Sequence, residues 1–277
     1  MIELSKRMQA VADMVPAGSI AADIGCDHGF VSIYLVQQKI CPFVYAADVR
    51  PGPLARAKEH IEACGLEKYI KPVLSDGLKE VAVKDSEAVS GAEGILAAGM
   101  GGHLMIRILS DVPQKTKKLS WVILEPQSDV ELVRHWLWEN GFVIAKESMV
   151  YEDGKYYPVM FAMNRERTDA AVLESAENEY GQTAEELCSA GFSESESKAA
   201  CDWLGSQLIR QKSAVLKQFL KHTIENDRKV LAGMPQVSEK EEKTEKEQRI
   251  EARCREIRVR MSLSERVLAF MEESCKR

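Results

Sequence analysis

Short apolar runs that give way to an acid or a glycine recur through the first half of the chain. They cover residues 20–24, 43–47, 70–74, 94–98 and 121–124. Each is nearly continuous in its hydrophobicity, as expected of strands buried on both faces. Between them, residues 30–38, 53–64 and 103–109 carry apolar side chains at helical spacing, and Gly65 stands where a helix C-cap is needed. Leu4, Met8, Val11 and Val15 share one face of an earlier helix, with Ser5 as its cap. Ser128 and Glu131 have the spacing of a capping box for a helix with Leu132, Trp136 and Leu137 on its inner face, stopped at Asn140-Gly141. Two further strands, 142–149 and 156–163, flank Glu152-Asp153-Gly154, a hairpin turn. Strand and helix alternate and a hairpin closes the series. This predicts an α/β fold with a mostly parallel sheet and one antiparallel strand.

The pattern changes after Asn164. Residues 165–200 are polar and read as loose helices. From Cys201 the spacing predicts one long amphipathic helix to residue 231, with Ile209, Leu216, Thr223 and Val230 seven apart and Phe219, Leu220 and Ile224 alongside. Gly233-Met234-Pro235 breaks it and a charged stretch, 239–249, follows. A second helix carries Ile250, Ile257 and Ser264 at one heptad position and Cys254, Met261 and Leu268 at another. Two such helices joined by a break predict an antiparallel, coiled-coil-like helical hairpin. The expected domains are 1–164 and 165–277.

Composition narrows the class. The 277 residues are 45% hydrophobic and 29% charged, which is ordinary for a soluble globular protein. No apolar run approaches the roughly 20 residues that span a bilayer, and the first residues lack the apolar core of a signal peptide. Seven cysteines occur with no C-x-x-C pair, which argues against a disulfide framework or a zinc site. The expectation is a cytoplasmic protein without a membrane partner. A net charge of −6 does not suggest general nucleic-acid affinity, but leaves room for a local basic face.

Ligands of doubly wound sheets bind outside the carboxyl ends of the strands. Here those ends carry Asp23, Gly25, Asp27 and His28, then Asp48, then Asp76 and Gly77, then Gly99 to Gly102, then Glu125-Pro126-Gln127. The turn Gly25-Cys26-Asp27-His28-Gly29 is G-x-x-x-G and lacks the middle glycine that lets backbone approach a pyrophosphate. S-adenosylmethionine (SAM) has no pyrophosphate and suits such a turn. Asp48 lies 23 residues after Gly25, about right for a carboxylate on a ribose diol. Asp76-Gly77 suits an adenine, the acid accepting from its amino group and the glycine leaving room for the ring. Acids at strand ends also cap turns, yet five strand ends bearing such residues favour a site. His28 and His103 give only a weak metal signal, without a second histidine at ligand spacing, so no metal is expected. Cys26 is read as packing or as a nucleophile.

Together the motifs Leu4-Ser5-Lys6-Arg7, Ala22-Asp23-Ile24-Gly25-Cys26-Asp27-His28-Gly29, Ala47-Asp48-Val49, Ser75-Asp76-Gly77-Leu78, Ala98-Gly99-Met100-Gly101-Gly102, Glu125-Pro126-Gln127 and Glu152-Asp153-Gly154-Lys155-Tyr156-Tyr157 resemble the bacterial tRNA (adenine-22-N1)-methyltransferase family. The resemblance covers residues 1–163 closely and the rest in architecture. It implies a Rossmann-like SAM-dependent methyltransferase sheet, SAM as cofactor, tRNA as partner, and methyl transfer to N1 of an adenine in the D-arm region. Carried over by position, it implies a SAM site lined by Gly25, Asp27, His28, Asp48, Asp76, Gly77 and Met100, to which Asp23, Val49 and Gly99 are added as neighbours in the motifs. Asp27 is the expected catalytic residue, orienting the base through its amino group. Methyltransferases acting on an exocyclic amine often carry Asn/Asp-Pro-Pro-Tyr after the fourth strand, and Ala98-Gly99-Met100-Gly101 points away from that chemistry. Arg7, with Lys6, Arg50 and Lys71, is an expected RNA contact near the cofactor. Arg253 and Arg260, seven apart on the last helix, are read either as phosphate contacts or as a solvated face. A monomer or weak dimer is expected. The alternatives are a SAM enzyme acting on a small molecule or protein, and a non-enzymatic RNA-binding protein.

Overall fold

The computed structural model describes residues 2–85, 91–235 and 244–273. Part of the charged stretch at 239–249 lies outside the described residues. The chain divides into two compact units, Met1–Glu179 and Tyr180–Arg277. The division falls inside a helix, Ala170–Ser189, that begins just after the sheet ends at Asn164.

The first unit opens with α1 (Lys6–Ala12), capped by Ser5, whose hydroxyl accepts from the Met8 amide at 3.3 Å. It continues through β1 (Ala21–Ile24), α2 (Phe30–Gln37), β2 (Val44–Asp48), α3 (Pro51–Ala63), β3 (Ile70–Leu74), β4 (Gly94–Met100), α4 (Gly102–Ser110), α5 (Pro113–Thr116), β5 (Trp121–Pro126), α6 (Val130–Glu139), β6 (Phe142–Glu152) and β7 (Lys155–Asn164). The strands form one sheet in the order β3-β2-β1-β4-β5-β7-β6. All pairings are parallel except those of β7, which runs antiparallel to both β5 and β6. The sequence pattern anticipates this sheet. The short α5, opened by Pro113, is an addition to it.

Successive residues of a strand face opposite sides of the sheet, and the apolar runs fill both. Ala22, Ile24, Ile95, Ala97, Val122 and Leu124 pack with Met105 and Leu109 of α4 and Val133 and Leu137 of α6. Ala21, Val44, Leu96 and Ile123 pack on the other side with Val11 of α1 and Val31 and Leu35 of α2. The hairpin turns at Asp153 (φ 49°) and Gly154 (φ 78°), the two positive φ values of a type I′ turn.

Helix α6 departs from expectation. Its N-cap is Asp129, at φ 54°, and among the described residues no side chain caps it. Ser128 cannot form the capping box because it is engaged elsewhere. Its carbonyl accepts from the Gly102 amide at 3.1 Å, and its hydroxyl donates to Asp129 at 2.6 Å. Leu137 is buried and Trp136 packs half-buried on the core as expected, but Leu132 is exposed, and Val133 and Arg134 are buried in its place. Arg134 is held there by Glu147 of β6 at 2.8 Å, an ion pair with both partners buried.

In the second unit, the single helix expected from residue 201 to 231 is three helices. These are α8 (Glu194–Leu204), α9 (Ser206–Arg210) and α10 (Ala214–Gly233), following α7 (Ala170–Ser189). Gly205 adopts φ 91°, ψ 121°, and Lys212 φ 51°, neither of them helical. Ser213 then caps α10, accepting from Leu216 at 3.3 Å. Ile209 therefore belongs to a separate helix, and the buried stripe of α10 is Leu216, Leu220, Ile224 and Asp227. Val230 is exposed. Helix α11 (Glu245–Glu273) buries Ile257, Ser264, Val267 and Met271. Lys221 pairs with Glu272 at 2.9 Å, Arg228 with Glu265 at 2.5 Å, and Asp227 with Arg260 at 3.0 Å. Partners that advance along one helix as they recede along the other establish the antiparallel hairpin.

Two expectations follow for stability. Gly94 of β4 lies against Trp121 of β5, and an added Cβ would meet the indole at 2.1 Å. Gly94→Ala should cost about 1–3 kcal/mol through overpacking, read as a lowered urea midpoint with an unchanged slope. Asp227 is 3% exposed. Arg260→Met strands it without its cation and should cost roughly 3 kcal/mol, while adding Asp227→Leu should restore most of that. Far-UV circular dichroism during urea unfolding measures both variants.

Candidate active site at the carboxyl ends of the strands

The strand order reverses at β1, whose neighbours are β2 and β4. Such a switch point opens a crevice beyond the strand ends. A cleft of about 640 Å³ lies there, lined from α1, α2 and α4 as well as from the ends of β1 to β4. That volume suits a nucleoside-sized ligand.

The turn after β1 forms its floor. Gly25 (φ 75°) and Cys26 both donate to the Ala47 carbonyl, at 2.8 and 3.0 Å. Asp27 is also left-handed, at φ 46°, a conformation that costs other side chains more than Asp or Asn. Gly29 (φ 71°) then opens α2. Met100 lies over Gly25, and a Cβ there would come 2.3 Å from its terminal methyl. Asp23 is buried and accepts from Ser32 of α2 at 2.7 Å, so it fastens strand to helix. Burial raises its pKa to about 6, with Ser32 opposing the shift. Burial also pushes the Cys26 thiol far up, which removes the nucleophile reading.

Three carboxylates project from the ends of β1 to β3. Asp48 is buried, accepting from the Arg50 amide at 2.8 Å and the Asp27 amide at 3.3 Å. Asp27 is half exposed, with Arg56 of α3 at 3.6 Å and His28 at 3.7 Å. Asp76 accepts from Lys79 at 2.6 Å and Arg107 at 3.3 Å, and the Lys79 hydrogen bond holds its pKa down. The space beside Gly77 is taken by Ile108 of α4, 2.8 Å from where a Cβ would stand. The slot expected for a ring is therefore walled by that side chain.

On the far side, Glu125 at the end of β5 is fully buried. Its Oε2 accepts from the Gly99 amide at 2.7 Å and from Arg7 of α1 at 3.4 Å. Its Oε1 has no hydrogen-bond partner among the described residues. Desolvation raises the Glu125 pKa to about 7, against the pull of Arg7 and the Gly99 amide. Arg7 also lies over the Tyr157 ring, 4.8 Å from its centroid. One buried carboxyl thus ties α1 to the β4 turn, where Gly99 (φ 74°) and a bulge between Ala98 and Met100 shape the wall.

The cleft brings together Asp23, Gly25, Asp27, His28, Asp48, Val49, Asp76, Gly77, Gly99, Met100 and Arg7. Arg50 joins them, whereas Lys6 and Lys71 do not line it. Arg253 and Arg260 belong to the second unit. Arg253 pairs with Glu256 of its own helix at 3.0 Å, and Arg260 is engaged by buried Asp227 rather than presented to a phosphate. Sequence reasoning missed Phe30, Leu104 and Arg107 in the lining and Arg56 beside it. Phe30 and Leu104 lie in the first turns of α2 and α4, where helix starts that follow strand ends could have pointed to them, whereas Arg56 and Arg107 sit a turn further along their helices, beyond the reach of that signal. Among the described residues, no group of three or more His, Cys, Asp or Glu is arranged to hold a metal.

A family model described as a methyltransferase domain matches residues 4–160. The tRNA (adenine(22)-N(1))-methyltransferase of Bacillus subtilis is 34% identical over 170 residues, which are 61% of this chain and 68% of that protein. The crystal structure of the B. subtilis m1A22 tRNA methyltransferase TrmK superposes with a TM-score of 0.75 at 28% identity, covering 97% of this chain and all (100%) of that one. The TrmK of M. capricolum, solved with the cofactor product S-adenosylhomocysteine, superposes with a TM-score of 0.66 at 27% identity over 94% of this chain and 98% of that one. The strand-end acids, the left-handed turn and these likenesses agree, and the chain belongs to the tRNA (adenine-22-N1)-methyltransferase family.

Proposed function

We propose that this protein transfers the methyl group of SAM to N1 of adenine 22 of tRNA. The observation that carries this reading is the convergence of Asp27, Asp48, Asp76 and Met100, from four strand ends, on one cleft in a chain of this family. With tRNA as substrate, we infer a cytoplasmic site of action.

The residues present fit the cofactor. The floor at Gly25 has no Cβ to block a ligand's approach, and the flexible Met100 side chain is its cover. Asp48, buried and fixed by two amides, is suited to accept from ribose hydroxyls. Val49, exposed at the end of β2, and Ile108 offer apolar surface to an adenine, with Asp76 as acceptor for its amino group. Asp23, His28, Gly77 and Gly99 complete the lining. When bound, SAM supplies a methyl group made electrophilic by its sulfonium.

Asp27 is the proposed catalytic residue. Its carboxylate is half exposed at the cleft, where it would accept from the adenine amino group and orient the ring. The N1 lone pair needs no prior deprotonation, so positioning of the two reactants supplies most of the rate. Methylation leaves positive charge on the base, which a fixed carboxylate stabilises. Glu125 is a positioning residue that acts through Gly99 and Arg7. N1 lies on the pairing edge, so the nucleotide must leave its stack to react. We assign methyl transfer to residues 1–164 and an RNA-binding role to the helices of 165–277, with Arg253 a candidate contact.

Transfer from radiolabelled SAM to bulk tRNA should place label in 1-methyladenosine. Asp27→Asn keeps the left-handed turn and should lower the rate roughly 10²-fold, with SAM binding retained in calorimetry. Label in another nucleoside, or transfer to small amines that ribonuclease does not abolish, would overturn the reading.

Glu125 gives a pH signature. Its pKa is raised from 4.5 unfolded to about 7 folded, so the unfolded state ionises first. Its contribution to stability is complete below pH 4.5 and falls away as pH rises through about 7. Relative to Glu125→Gln, the wild type should lose roughly 3 kcal/mol across that window and then level off. Urea unfolding at a series of pH values reads the difference.

A further inference from the structure

An aromatic group stands beside the acids, and of its three rings only His28 has a part in the reading above. The rings of His28, Phe30 and His60 lie mutually within 5.7 Å between centroids and within 26° of parallel. His28 and Phe30 line the cleft, and Phe30 is 43% exposed although it opens a helix whose other apolar residues are mostly buried. His60 is fixed from behind, its Nδ1 donating to the His28 carbonyl at 2.9 Å. A lone exposed phenylalanine needs no explanation. Three near-parallel rings, stacked on one another and anchored by a backbone hydrogen bond at the rim of a cleft, form a fixed aromatic stack whose natural addition is another flat ring.

The charges beside it select the kind of ring. Arg56 stands one helical turn before His60 on α3, so the two share a face. Its guanidinium is half exposed and 3.6 Å from Asp27, also half exposed. Arg50 and Arg107 are likewise more than half exposed and lie at the same cleft. Ion pairs this exposed are worth about 0–1 kcal/mol, so a guanidinium can exchange its carboxylate for a phosphate at little cost. An aromatic stack bordered by exchangeable guanidiniums is complementary to a further stacked base and its phosphate.

We propose that the His28–Phe30–His60 surface is a stacking platform for a nucleobase of the substrate tRNA, with Arg56 as the phosphate contact next to it. The proposal rests on the tRNA methyltransferase reading and names a part of the surface that reading requires. His28 also lines the proposed SAM site, so the platform is read through Phe30, to which no cofactor contact is assigned.

The test uses the full chain, an unmodified tRNA transcript and SAM. Phe30→Ala should weaken tRNA binding about 5- to 50-fold, the range of one lost base–aromatic stack. SAM affinity by calorimetry should stay within about twofold, since the proposed contacts to its ribose and adenine are Asp48, Asp76, Val49 and Ile108, not Phe30. Phe30→Tyr should restore tRNA affinity, and Phe30→Leu, apolar but not flat, should not. Arg56→Gln should reduce the slope of log affinity against log salt by about one. The platform is overturned if Phe30→Ala binds tRNA like the wild type, if Phe30→Leu binds as well as Phe30→Tyr, or if the loss falls on SAM. Wild-type protein that binds SAM but leaves tRNA unlabelled overturns instead the function on which the proposal rests.

Discussion

Within the five residues from Gly25 to Gly29, three adopt left-handed backbone, and the geometry of the cleft depends on that turn. Two consecutive amides, those of Gly25 and Cys26, close on the carbonyl of Ala47 in the neighbouring strand. The chain is thereby bent across the end of β2 before it can begin α2. The bend sets Asp27 beside Asp48, whose carboxylate accepts the Asp27 amide. It also leaves the bare Cα of Gly25 under Met100. Positive φ at a non-glycine residue is a strain held in place by its surroundings. Here the surroundings are the buried pair Asp23 and Ser32 on one side and the Ala47 carbonyl on the other.

The electrostatics of the cleft follow from how deeply each acid sits. Asp23 and Glu125 are buried, and desolvation raises both pKa values. Asp27 and Asp76 stand further out, each beside an arginine from a helix. Asp23 and Glu125 hold elements together, while Asp27 and Asp76 are open to the cleft. One chemical group thus serves two purposes according to its access to water. It also explains how a chain of net charge −6 can present cations where an RNA would arrive.

Much of this was legible in the sequence. Continuous apolar runs mark parallel strands because burial on both faces leaves no polar side, and the residues that end such runs must fall at one edge of the sheet. Asp153-Gly154 is readable because its two positive φ values suit those residue types. Where the reading went astray, tertiary partners decided. Ser128 has the spacing of a cap, but Asp129 takes the N-cap position and the Ser128 hydroxyl donates to its carboxylate. The period from Ile209 to Val230 looks continuous, but the chain leaves the helical region at Gly205 and again at Lys212, an ordinary residue on which no local rule places a break. Leu132 and Val133 are adjacent apolar residues, and only the position of α4 determines which of them faces inward. The buried carboxyl of Glu125 could be seen as a strand-end acid, but its partners Arg7 and Gly99 are distant in sequence.

The placement of β7 between β5 and β6 has a consequence for a chain still being made. Strand β6 emerges first and has no neighbour to join, since the edge of β5 is reserved for the strand after it. Until β7 arrives, the buried edge from Trp121 to Leu124 is open to any other extended chain. Hairpins form within microseconds once both arms exist, far faster than residues are added. The exposure therefore lasts only as long as synthesis of the second arm. A two-residue turn keeps that interval short, and the Asp153-Gly154 corner guards against misassembly before it serves as a connection.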